Sequence, residues 1–218
     1  MSLNLIRILI EVGVLLVAVS FHESAHGYVA MKCGDNTARN LGRISLNPLR
    51  HIDPIGSVAL PLLLALSGAP VFGWAKPVPV SLRGVPHPRR ANLLVAAAGP
   101  LSNLLLAALS AWVVVRLRPY LASEDAGLIS VLIFLVAVSS LAVNAALGLF
   151  NLLPIPPLDG FGVLESLLPA GLLPVAAWLR RWGMAIFVLA IFSGVLRTVL
   201  LPAQRFLVDS LLAMAQAR

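Results

Sequence analysis

Cysteine, acid and charge of any sign are scarce in this chain. Of its 218 residues one is cysteine, nine are acidic and 11% are charged. The lone Cys33 excludes an intrachain disulfide. A soluble domain carries about 25% charged residues, so the deficit excludes an ordinary solvated surface. Sixteen basic residues against nine acidic ones give a net charge of +7. No nucleic-acid recognition motif accompanies that charge, and nucleic acid is not an expected partner. In a chain this apolar, basic residues belong in cytoplasmic loops or at the interface beside anionic lipid. No internal repeat is visible.

Apolar residues are what the chain has in excess: 59% are hydrophobic, and the mean hydropathy is +0.94. Several stretches approach or exceed the ~18 apolar residues that suggest a membrane span. The expected fold is an all-α membrane protein, a polytopic helix bundle of about 4–6 membrane segments in one domain over residues 1–218. The first segment runs from Leu3 to Met31, with Arg7 and Glu11 placed to pair on one face. No small-x-small cleavage site follows its apolar run, so it is expected to be retained rather than removed as a signal peptide. Ile55 to Leu66 is short and contains Pro61. Ala91 to Val115 and Leu128 to Phe150 follow. Leu172 to Leu200 is interrupted by Arg180, Arg181 and Trp182, and Ala203 to Ala217 is a last helix at the interface. "GRISL", from Gly42, reads as a short β-strand in a loop.

Basic loops flank Ile55–Leu66 on both sides, whereas Glu124 and Asp125 lie in the loop after Val115. Lysine and arginine mark cytoplasmic loops. Both basic loops are cytoplasmic only if Ile55–Leu66 is a re-entrant segment rather than a full span.

Within the first apolar segment stands "FHESAHGY". His22 and His26 lie within about 40° of each other on a helix and can grip one metal ion. Glu23 sits about 100° round from His22, within reach of a water on that metal. This is the H-E-x-x-H pattern. Ionisable groups inside a membrane cost several kcal/mol (about 2.5–3.5 or more each) and mark functional sites. A catalytic zinc needs a third protein ligand and an open position. His51 and His87 lie in basic loops and read as solvated; Asp35 and Asp53 lie in a charged loop, and Glu165 remains open. Asp159 stands out, in the turn "PIPPLDG" at the end of an apolar helix with no basic neighbour. With Ile55–Leu66 re-entrant, it arrives on the same side as His22. Asn144, Gly148 and Asn151 share one helix face. Asn151 adjoins the break before Asp159, where its amide can contact substrate or an oxyanion. For Asn103, in "GPLSN", packing and substrate contact both stay open.

Together these residues resemble the site-2 protease family, the intramembrane zinc metalloproteases. "HESAH" matches its H-E-x-x-H, and "NLLPIPPLDG" matches its second motif. "FGWAKPVPV" and "AGPLSN" are similar to accompanying stretches of bacterial and archaeal members. The resemblance covers Val17 to Leu164. It implies His22, His26 and Asp159 as Zn2+ ligands, Glu23 as the catalytic base, and Asn151 as a substrate or transition-state contact. It further implies cleavage of transmembrane segments of membrane-protein substrates, in a bacterial or archaeal cell membrane, with the site toward the cytoplasm. The length suits neither a PDZ domain between the motifs nor a terminal CBS domain, so selection of substrate falls to the membrane core or to a regulatory membrane partner. "GRISL" and "GWAKPVPV" are candidates for pairing with an unwound substrate. The alternatives are a membrane zinc transporter, which would need a second metal-binding helix and a His-rich loop, and an inactive scaffold.

Overall fold

The computed structural model describes residues 3–68, 73–121, 123 and 126–217. Helix α1 spans Leu3–Lys32, with a short α2, Thr37–Asn40, after it. A π-helical turn, Pro54–Ala59, leads into α3, Leu60–Ser67. The long helices are α4 (Pro88–Leu121), α5 (Leu128–Asn151), α7 (Leu173–Phe192) and α8 (Val195–Gln216); α6 (Asp159–Leu167) is short. Among the described residues five helical segments, those of α1, α4, α5, α7 and α8, are long and apolar enough to cross a membrane. Their outward faces carry large exposed apolar side chains such as Leu9, Leu105, Ile129 and Phe206. In water such a surface would aggregate; against lipid it is at home.

Small residues set the interior. Ala107 and Ala111 of α4 and Ala145 of α5 are fully buried with Leu141, and Leu207, Leu211 and Leu212 of α8 pack on them. Short side chains let helix backbones approach where lipid supplies no hydrophobic drive between helices. Arg7 and Glu11 form the expected pair, at 2.8 Å.

The Pro54–Ser67 segment has six plus eight residues, which gives about 20 Å of helix against the ~30 Å of a hydrocarbon core. The stretches before and after it lie together. The Trp74 amide donates to the Gly56 carbonyl at 3.1 Å, and the Lys76 amide to the His51 carbonyl at 2.8 Å. By Trp74 the chain is therefore back beside the point where it entered the segment, as a re-entrant hairpin requires.

Two expectations are corrected. The short loop β-strands are absent among the described residues, including at Gly42–Leu46. Ser45 shows why: its amide donates to Ser24 Oγ rather than to a strand partner, and its carbonyl accepts from Ser24 Oγ and faces His51 Nε2. The groups a ladder would use are already paired. The break expected at Arg180–Trp182 lies instead at Gly194, in a left-handed conformation (φ 74°). Glycine adopts that conformation without a Cβ penalty. Arginines continue a helix readily; Arg180 reaches Glu165 and lies over the Phe161 ring. The acidic pair Glu124 and Asp125 lies outside the described residues.

Candidate metal centre

Helical spacing brings His22 and His26 one above the other on α1, rings edge to face with centroids 4.7 Å apart. Both are buried. The proline-rich break after α5 turns the chain back, so that Asp159, the first residue of α6, meets them. Gly160 permits the turn: a Cβ there would overlap the Leu152 and Leu153 carbonyls. His22 Nε2, His26 Nε2 and Asp159 Oδ2 form a triangle of 3.0, 3.1 and 3.2 Å. Tetrahedral zinc with bonds of ~2.0–2.1 Å holds its ligand atoms about 3.3 Å apart.

The protons on these rings can be placed from their partners. His26 Nδ1 lies 2.6 Å from the Val95 carbonyl, which can only accept, so Nδ1 carries the hydrogen. His22 Nδ1 lies 2.6 Å from Asn103 Oδ1, also an acceptor. In the neutral rings both Nε2 atoms then present lone pairs. Asp159 Oδ2 is buried without a hydrogen-bond donor. Three acceptors thus converge with no proton among them, an arrangement that a cation relieves. Gly99 of α4 borders the same space, where a Cβ would overlap both Nε2 atoms. The donor set, its spacing and the orphaned oxygen all fit zinc.

Glu23 is half-buried beside this group, and its Oε2 accepts from the Val78 amide at 2.8 Å. Residues 73–82 form neither helix nor strand and meet α1 at Glu23. Pro77 and Pro79 have no N–H, so Val78 carries the only amide donor in "PVP". Asn103 is fully buried; its Nδ2 donates to the Ala18 carbonyl at 3.2 Å and to Asn144 Oδ1 at 2.9 Å. Asn151 donates from Nδ2 to the Leu147 carbonyl of its own helix at 3.1 Å.

The other acidic and histidine candidates have separate occupations. Asp35 accepts from Thr37 and from the Ser81 amide. Asp53 caps the π-turn through the Ile55 and Gly56 amides, and Glu165 pairs with Arg180. His51 is buried, at 2% exposure, rather than solvated. Sequence reasoning missed the Val95 carbonyl and the Val78 amide, since backbone groups leave no mark in side-chain identity; only the flanking prolines hint at Val78.

Comparison with known proteins places the chain in a family. YwhC of Bacillus subtilis is 38% identical over 207 residues, 93% of this chain and 89% of YwhC. Rip2 of Mycolicibacterium smegmatis is 34% identical over 182 residues, 83% of this chain and 66% of Rip2. Each is named "Putative zinc metalloprotease". The chain belongs to this site-2 protease-like zinc metalloprotease family. Its cofactor is zinc, which the group of His22, His26 and Asp159 is able to hold. Rip2 of Mycobacterium tuberculosis is 35% identical over 151 residues, and the chain spans 54% of its length. No family model and no solved structure matches the chain.

Proposed function

We propose that this metalloprotease, as one integral-membrane domain over residues 1–218, hydrolyses peptide bonds within transmembrane segments of membrane proteins. The observation that carries this reading is the cluster of three buried acceptors inside a bundle of membrane-length helices. A soluble substrate has no reason to reach a site so placed, whereas a substrate helix arriving through lipid does.

His22, His26 and Asp159 would hold the zinc. Zinc held there would supply a Lewis acid for the scissile carbonyl and for a water. Glu23 handles the proton. The Val78 amide fixes one carboxylate oxygen and leaves the other to take a proton from the attacking water. The water oxygen bonds to the carbonyl carbon, the C–N bond breaks, and Glu23 passes its proton to the departing amine. Asn151 stands at the end of α5 beside the break to Asp159. There its amide can turn from the Leu147 carbonyl to a substrate carbonyl. Asn103, buried against His22, serves the zinc rather than the substrate. Both basic loops and the site face the cytoplasm in this reading, as the pairing of the stretches that flank Pro54–Ser67 supports.

Glu23→Gln tests it. Glutamine is nearly isosteric and removes no zinc ligand, but it cannot accept the proton. General base catalysis is worth about 10²–10⁴-fold, so cleavage of a transmembrane substrate in liposomes should fall at least about a hundredfold with zinc content unchanged. Zinc lost together with activity would reject Glu23 as the base.

A further inference from the structure

The histidine tautomers needed at the metal centre are secured in two different ways. For His26 a backbone carbonyl, that of Val95, faces Nδ1 directly. For His22 the acceptor is the side-chain amide of Asn103, which could turn over and offer its NH2 instead. Something must hold it.

The hydrogen-bond directions identify what does. On α5 the Ser140 carbonyl lies 3.0 Å from Asn144 Nδ2. A carbonyl only accepts, so the Asn144 NH2 points at it and Asn144 Oδ1 points the other way. That oxygen lies 2.9 Å from Asn103 Nδ2 and requires a donor. The Asn103 NH2 therefore faces Asn144, with the Ala18 carbonyl at 3.2 Å as its second acceptor. Asn103 Oδ1 is left toward His22 Nδ1, at 2.6 Å. His22 must then carry its hydrogen on Nδ1 and present the Nε2 lone pair to Asp159 and His26. Each link forces the next, from a backbone carbonyl of α5 through α4 to a side chain of α1. Asn103 and Asn144 are 0% and 2% exposed, so no water is available to stand in for a lost link.

We propose that Asn144 is a positioning residue for the metal centre: it orients the Asn103 amide, which fixes the metal-binding tautomer and ring plane of His22. The inference rests on the zinc reading of His22, His26 and Asp159. Outer partners of metal-bound histidines typically contribute about 10–100-fold to metal affinity. Asn144 acts through one intermediary that also has Ala18, so its effect belongs at the low end.

The test uses the full chain in detergent, loaded with zinc and, separately, with Co2+. Asn144→Leu keeps the volume and removes both polar atoms. It should release zinc to a chelator about tenfold faster than wild type and shift the Co2+ visible bands, which report ligand geometry. Asn144→Asp, whose neutral carboxyl donates one bond and accepts one, should release zinc near the wild-type rate. Gln204→Ala removes a bond to α5 outside this network, to the Ala142 carbonyl, and should change neither readout. If Asn144→Leu does not fold, Asn144→Ala is read in the same way. Wild-type zinc release and Co2+ bands in the Leu or Ala variant overturn the proposal while the zinc reading stands. Equal losses in Asn144→Asp and Asn144→Leu also overturn it, because they indicate packing rather than orientation. A wild-type chain that binds no zinc overturns both.

Discussion

Gly99 shows how much one hydrogen atom decides at this site. Its Cα faces the two Nε2 atoms so closely that a Cβ would overlap both. Alanine is favoured over glycine in a helix interior by about 1 kcal/mol, so Gly99→Ala should leave α4 helical. The methyl group nonetheless takes the space that a bound ion needs. Zinc content at limiting metal should fall by at least about tenfold, the scale of a disturbed outer partner, with helical circular dichroism unchanged. Full zinc occupancy in that variant would mean the ion sits elsewhere. Asp159 is served by its neighbour in the same way, since Gly160 alone lets the chain pass the Leu152 and Leu153 carbonyls.

Among the elements, the irregular stretch 73–82 is the least expected. It has no ladder, yet it is tied along its length. Trp74 bonds Gly56, Lys76 bonds His51, Val78 bonds Glu23 and Ser81 bonds Asp35; Arg43 grips the Lys76 carbonyl at 2.8 Å. A substrate pairing along "GWAKPVPV" would have to displace these bonds, and at Ser45 of "GRISL" the backbone is occupied as well. The tie at Asp35 is testable by pH. Burial pushes its carboxyl up, but hydrogen bonds from Thr37 and the Ser81 amide outweigh burial and hold it below the ordinary value of 3.8. A depressed folded-state pKa stabilises above the ordinary value, and that stabilisation is lost as pH falls through the lower folded one. Exchange of the Ser81 amide should therefore be slow, after correction for intrinsic rates, from neutral pH down to about 4, and protection should fade below that. Asp35→Asn should lower this protection already at neutral pH. Equal protection in both proteins would place the anchor of the stretch elsewhere.

For the whole molecule, the bonds joining the stretches before and after the Pro54–Ser67 segment constrain topology. A full span would part His51 from Lys76 by about 30 Å; they are joined by a 2.8 Å backbone bond. Impermeant labelling of cysteines placed at Arg50 and at Arg90, each in a Cys33→Ser background, should modify both from the cytoplasmic face only. Labelling of the two from opposite faces would exclude the hairpin. The same constraint brings α5 back toward the face where α1 ends, which lets the break after Asn151 deliver Asp159 to His22 and His26.

Much of this was legible in one dimension, where the physics is local. Hydropathy and length mark the apolar helices because lipid tolerates no unpaired backbone. A four-residue spacing places His22 and His26 together because a helix repeats every ~3.6 residues. Proline density ends α5 because proline has no N–H to continue it. Local composition was misleading where tertiary contact overrides it: the arginine pair did not break α7, and "GRISL" formed no strand because Ser24 and His51 took its hydrogen bonds. Asp159 was already the expected third partner of His22 and His26, from its turn and its side of the bundle; its approach to 3.0 and 3.2 Å from their Nε2 atoms, the Val95 carbonyl behind His26 and the Val78 amide on Glu23 came only with the folded chain. The amino-acid types determined which groups could bind a metal or move a proton. Which proton sits on which nitrogen was decided by the packing of α1, α4 and α5, because a hydrogen-bond direction is set by whatever atom lies opposite, and that atom is often backbone.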